Sequence, residues 1–153
     1  MDANSARHCV LTFLEGFYAG DAARVEQCCD DGFVSLTYAP VEIFPHLGLK
    51  QGKAWIAEAI RIQQERYSHR SYSVRFIAVE GLRVATLSDV SLTKRSDQRV
   101  VKFATGEFFT LSNGRILEHR AFFDSLDLLQ QLLGRDLTEA FASSVKLTMT
   151  ARD

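Results

Sequence analysis

Beyond about Arg66 the chain changes its period. Up to that point apolar residues recur every three to four positions. Afterwards they alternate with polar ones in four runs, roughly Tyr72–Val79, Leu82–Thr93, Val100–Leu111 and Arg115–Phe123, which is the pattern of strands. The joints between the runs are short: Glu80-Gly81, the polar segment KRSDQR, and Ser112-Asn113-Gly114. The Asn-Gly pair is the strongest hairpin signal because both residues tolerate positive φ. Strands joined this way form an antiparallel meander. Helices ahead of a continuous sheet predict an α+β fold in which the helices cover one face of a curved sheet.

Ahead of the meander, Asn4 or Ser5 is placed to cap a first helix with Val10, Phe13, Leu14 and Phe17 on one face, ended by Gly20. Asp21 is placed to cap a shorter helix, AARVEQCC, which Asp30, Asp31 and Gly32 terminate before the extended run FVSLTY. Pro40 to Gly52 contains both prolines and reads as a loop, yet Val41, Ile43, Phe44 and Leu47 make it apolar enough to cover something. Lys53 to Arg66 predicts a third helix with Trp55, Ile56, Ala59, Ile60 and Gln63 on one face. Past Gly134 the tail has weak helical periodicity around Leu137 to Val145 and is expected to fray at its end.

Length and charge restrict the function classes. With 153 residues, 46% of them hydrophobic, the chain has the size of a single domain spanning 1–153. The 18 Lys and Arg are scattered among 19 Asp and Glu, so no basic stripe is available for nucleic acid. No apolar stretch reaches the ~18 residues of a membrane span and no basic leader precedes one. Cys9, Cys28 and Cys29 are odd in number, which suggests free thiols in a reducing compartment, and a soluble, cytoplasmic protein is the expectation. No His/Cys pair has metal-ligand spacing and no glycine-rich strand-to-helix turn occurs, so neither a metal nor a nucleotide cofactor is expected.

The segments FLEGFYAGDAARVEQCCDDGFVSL and GRILEHRAFFDSLDLLQQLLG resemble the NTF2-like superfamily and its SnoaL-like branch, over a core of about residues 6–134 with a tail at 135–153. The resemblance implies an α+β cone: three N-terminal helices on a strongly bent antiparallel sheet that encloses a pocket, with homodimers formed through sheet surfaces. It implies no cofactor and, as partner, a small apolar molecule held between the last two strands, the first helix and the Pro40–Gly52 loop. Relatives include ketosteroid isomerases, polyketide cyclases, epoxide hydrolases, carriers and assembly domains, and the fold alone does not choose among them. The isomerase's base, tyrosine and acid positions fall near Leu36, Phe13 and Gly106, so none is retained. The hydrolase's two aspartates fall at Asp124 and near Asp89, while its bridging arginine is replaced by Leu87 and its water ligands fall near Val34 and Leu36. The cyclase branch also uses the terminal aspartate, with a histidine position that falls near Thr110.

Three candidate catalytic residues follow. Asp124 ends the last strand, and either faces the pocket as proton carrier or caps the following helix, a role Ser125 is also placed to take. Asp89 is a second acid if it points inward and carries no implication if it points outward. His119 alternates with Leu117, Ala121 and Phe123, the expected pocket face, and imidazole is the side chain that changes charge near neutral pH. Glu107 and Arg120, on adjacent strands, read as a cross-strand pair. Candidate ligand contacts are Phe13, Phe17, Tyr38, His46, Trp55, Leu87, Gly106, Phe108, Ala121 and Phe123, with Tyr38 and His46 at the mouth. The three cysteines read as packing thiols. The functions in view are a cofactor-independent acid/base enzyme (cyclase, isomerase or hydratase), a non-catalytic carrier, and a dimeric interaction module.

Overall fold

The computed structural model describes residues 1–150, and the fraying expected at the end of the tail falls on 151–153, which lie outside the described residues. Helix α1 (Ala3–Ala19) begins earlier than expected because Asp2, not Asn4 or Ser5, is its cap: the carboxylate accepts the Ser5 N–H at 2.8 Å. Gly20 closes it at φ 80°, and its N–H returns to the carbonyls of Gly16 and Phe17. Helix α2 (Ala22–Gln27) is capped by Asp21 as expected.

Strand β1 (Cys29–Thr37) starts inside the segment predicted to be a break. A register irregularity between Cys29 and Val34 absorbs Asp30, Asp31 and Gly32. Within the proline-marked loop lies a short strand, β2 (Gly48–Gln51), paired antiparallel to residues 34–37 of β1. Neither proline falls in it, so its N–H groups are free to cover the edge of β1. Helix α3 (Ala54–Arg66) then leads into β3 (Tyr67–Glu80), β4 (Arg83–Lys94), β5 (Val100–Ser112) and β6 (Arg115–Phe122), followed by α4 (Ser125–Leu133) and α5 (Thr138–Thr150). Asn113 and Gly114 take the positive φ values that the β5–β6 turn requires.

The sheet order is β2-β1-β6-β5-β4-β3. All pairs are antiparallel except β1 and β6, which run parallel, so the sheet is mixed rather than purely antiparallel. The meander is a local product of short turns. The β1–β6 pair instead joins segments separated by a long crossover, and that connection returns the last strand beside the first in the same direction. Among the described residues no helix is long and apolar enough to cross a membrane.

Two apolar clusters pack on the inner face. One gathers Ala6, Val10, Phe13 and Leu14 of α1, Ile56 and Ile60 of α3, and Phe33, Val84, Phe109, Leu111 and Ile116 of the sheet. The other joins Phe44, Tyr67, Val90, Leu92, Val101 and Leu128 under α4. Burying each such large side chain contributes ~1.5–3 kcal/mol. Between the clusters the inner face turns polar while staying buried: Ser35, Thr37, Thr86, Ser88, Thr105, Glu107 and His119 lie there.

That band corrects the expected facing of β5. Val101, Phe109 and Leu111 anchor the odd-numbered residues in the core, so period-2 alternation carries Thr105 and Glu107 inward and Ala104, Gly106 and Phe108 outward. On β6 a register shift between Thr110 and Leu111 lets Ile116 and His119 both point inward, which turns Leu117 out.

Candidate functional site

The polar band is centred on His119. Parallel pairing of β1 with β6 sets Ser35 directly opposite His119, and the Ser35 hydroxyl lies 2.9 Å from imidazole Nδ1. From the neighbouring strand β5, Glu107 Oε2 lies 2.7 Å from Nε2. Glu107 and His119 are each 7% exposed and Ser35 is 2%. A neutral imidazole that donates Nε2–H to the carboxylate and accepts the Ser35 proton at Nδ1 satisfies all three groups. Phe13 and Phe109 pack on the imidazole at 5.5 and 4.9 Å between ring centroids and hold its plane. Both ring nitrogens are thereby occupied, so Glu107 and Ser35 are the polar ends of the chain that meet the cavity.

The cavity has two adjoining lobes, of about 70 and 110 Å³. Both are bounded by Phe17, Tyr18, Thr37, His46, Leu47, Glu107 and His119. Phe13, Ser35, Trp55 and Ile56 line the first alone; Phe103, Thr105, Ala121, Phe123 and Leu128 line the second. The loop between β1 and β2 supplies Phe44, His46 and Leu47 as a lid, folded back on itself by the Phe44 N–H to Pro40 carbonyl bond of 2.9 Å. Burial, reinforced by the Glu107 charge, pushes the Tyr18 phenol well up, so it remains a neutral donor. Burial and the charges of Arg66 and Lys50 lower His46 to about 4, so its imidazole is neutral near pH 7. Its Nε2 lies 3.3 Å from the Gln63 amide nitrogen. His46 Nδ1 and Trp55 Nε1 are buried without a hydrogen-bond partner. Among the described residues no group of three or more His, Cys, Asp or Glu converges in metal-binding geometry.

The structure brings together some of the expected site residues and disperses others. Phe13, Phe17, His46, Trp55, His119, Ala121 and Phe123 line the cavity. Asp124 does not. It is exposed and caps α4, its carboxylate accepting the Asp127 N–H at 2.9 Å, because the chain turns into the helix at that residue. Asp89 is on the outer face, between the inward Ser88 and Val90, and is held there by Arg75. Leu87 shares that outer face through the same alternation. Gly106 and Phe108 are turned outward with it, and Phe108 meets Phe122 edge-on at 5.8 Å. Tyr38 also lies outside, stacked on Phe122 at 4.4 Å, with Arg120 donating to its hydroxyl at 3.0 Å.

Glu107, Ser35, Thr37 and Gln63 were missed as site residues. Glu107 pairs with His119 rather than Arg120, whose partner is Glu118. The available signal was the spacing Phe33-x-Ser35-x-Thr37, which sets two hydroxyls on the face of a core phenylalanine.

The SnoaL-like domain model matches residues 10–119. No curated protein matches the chain in sequence. Among solved structures, a provisionally assigned isomerase from Rhodopseudomonas palustris is 24% identical, with 88% of this chain and 100% of that chain covered at a TM-score of 0.74. An LEH-like epoxide hydrolase from M. tuberculosis is 23% identical, covers 85% of this chain and 90% of its own, and has a TM-score of 0.68. An NTF2-like protein from Burkholderia pseudomallei is 16% identical, with coverage of 86% and 98% and a TM-score of 0.74. At these identities the structural likeness establishes the fold, and the family model spans most of the chain: the protein belongs to the SnoaL-like domain family, on an NTF2-like fold.

Proposed function

We propose that this chain is a cofactor-independent acid/base enzyme acting on a small apolar molecule by isomerisation, cyclisation or hydration. The observation that carries this reading is the buried Ser35–His119–Glu107 chain at the wall of a largely apolar cavity. In it Glu107 takes a proton from a carbon acid or from an attacking water and returns it to the product. His119 acts through Glu107, donating Nε2–H to the carboxylate and fixing its orientation, while Ser35 sets the imidazole tautomer. The likeness to a provisionally assigned isomerase and an LEH-like epoxide hydrolase is consistent with such chemistry, and their substrates are not transferred to this chain. A carrier is the second reading, favoured by the saturation of both imidazole nitrogens.

The test is solvent-deuterium incorporation into cyclic ketones, together with hydration of cyclic epoxides, followed by NMR on wild type and Glu107→Gln. Loss of ~10²–10⁴-fold in rate with ligand affinity retained supports the enzyme. Binding without turnover in wild type leaves the carrier.

The same reading assigns a homodimer to the outer sheet face, where Tyr38, Phe76, Phe108 and Phe122 are all exposed. Sedimentation equilibrium tests it, and a monomer across the micromolar range would refute it.

A further inference from the structure

We infer that Cys9 and Cys28 form a dithiol site that hydrogen peroxide oxidises to an intramolecular disulfide. The site is independent of what the cavity holds, since neither residue lines it.

Local folding brings the two thiols together. Helices α1 and α2 double back through the Gly20 turn, where the Asp21 N–H returns to the Gly16 carbonyl at 2.9 Å. Gly16 lets the helices close, because a Cβ there would stand 3.0 Å from Val25 Cγ2. Cys9 lies two turns before Gly16 on the same stripe of α1, and Cys28 lies one turn past Val25, at the end of α2. The Cys28 carbonyl accepts the Ile116 N–H at 2.8 Å, which fixes residue 28 between α2 and β6. Cys9 Sγ reaches that residue directly: it lies 3.8 Å from the Cys28 carbonyl oxygen and 3.8 Å from that of Gly114. The two thiols are hydrogen-bonded to each other. Such proximity is what a disulfide requires, and it joins residues 19 positions apart.

Access and acidity separate the pair from its neighbour. Cys9 is half-buried and Cys28 is 9% exposed, whereas Cys29 is 0% exposed inside the first apolar cluster. The thiolate is the nucleophile. The hydrogen bond from Cys9, with the Arg24 charge, holds the Cys28 thiol below its ordinary range against the effect of burial. Donating that bond holds Cys9 well up, and burial pushes Cys29 up to about 12. Cys28 therefore reacts first. Its sulfur attacks one peroxide oxygen, the O–O bond breaks, and the departing hydroxide takes up a proton to leave as water. The sulfenic acid at Cys28 is then attacked by the Cys9 sulfur, which gives up its proton; the S–O bond breaks and a second water leaves. The two thiols lose two electrons and the peroxide gains them. A thiol reductant reverses the bond by exchange.

The test treats the reduced full chain at pH 7 with an equivalent of hydrogen peroxide, blocks remaining thiols with iodoacetamide, and maps the peptides by mass spectrometry. Wild type is expected to lose the mass of two hydrogens, to give a Cys9–Cys28 cross-linked peptide, to leave Cys29 open to alkylation after unfolding, and to return to its starting mass with dithiothreitol. In Cys9→Ser the sulfenic acid persists and dimedone traps it at Cys28 ~10-fold or more over Cys29. In urea that preference disappears, because it depends on the folded surroundings of Cys28. The wild-type map needs no variant, so it decides the matter if Cys9→Ser does not fold. Oxygen addition without a bridge, a bridge through Cys29, a disulfide formed only between chains, or a Cys28 preference that survives urea overturns the inference.

Discussion

Glu107 on β5 and Asp89 on β4 are carboxylates on adjacent strands of one sheet, and each meets a nitrogen base. Glu107 meets His119 on the inner face, where both side chains are 9% exposed; Asp89 meets Arg75 on the outer face, where theirs are 52% and 56% exposed. The outer pair is a two-pronged contact open to water, where screening leaves an ion pair little net effect on stability. The inner pair is buried at the cavity wall between two apolar clusters, out of contact with bulk solvent, so each member depends on the other. Two pairs of similar composition thus have opposite significance, and the pleat of the sheet decides which is which.

The sharpest way to break this comparison is to remove one partner on the inner face. His119→Leu leaves the Glu107 carboxylate buried and unpaired, and is expected to lower unfolding free energy by about 3–5 kcal/mol in urea titrations at pH 7. A loss no larger than that of a surface substitution would mean that Glu107 relaxes to solvent.

A second consequence concerns pH. His46 is lowered from 6.5 to about 4 by burial and by Arg66 and Lys50, so below pH 6.5 the unfolded chain binds the proton that the folded chain refuses. Stability from this group is therefore full above pH 6.5 and is lost as pH falls toward 4, by on the order of 3 kcal/mol. Urea midpoints measured across that window should fall in wild type and fall less in His46→Phe.

The smallest effects are expected outside the cavity. Asp124→Ala removes the cap of α4 and should lower stability by about 1 kcal/mol without changing any turnover that Glu107 supports. Asp89→Asn should leave both stability and turnover unchanged within error, and a selective loss of rate in either variant would return these aspartates to the site.

Much of the architecture was legible because it follows from local rules. The apolar stripe of α1, the Asp21 cap, the Asn113-Gly114 hairpin and the run of strands after α3 each depend on residues close in sequence. The cap role of Asp124 was visible as one of two alternatives, and packing chose it. His119 was placed on the correct face because Ala121 and Phe123 flank it at even spacing. The inner face of β5 was misassigned because the cavity inverts the usual pattern, burying Glu107 and Thr105 while leaving Phe108 outside. Similarly, β1 buries Ser35 and Thr37 more deeply than Val34 and Leu36. A rule that places apolar residues inward fails where a cavity needs polar walls and the outer face stays apolar.

By itself, then, the sequence determined the helices, the hairpins, the family and the presence of an imidazole on the pocket side. Only the tertiary structure decided which carboxylate faces that imidazole. Strand pairing brings Ser35 to His119 across 84 positions and Glu107 to it across 12. A half-turn of one strand about its axis would exchange Glu107 for Gly106 or Phe108. The chain's local preferences are nearly indifferent to that choice, and the core anchors Val101, Phe109 and Leu111 make it.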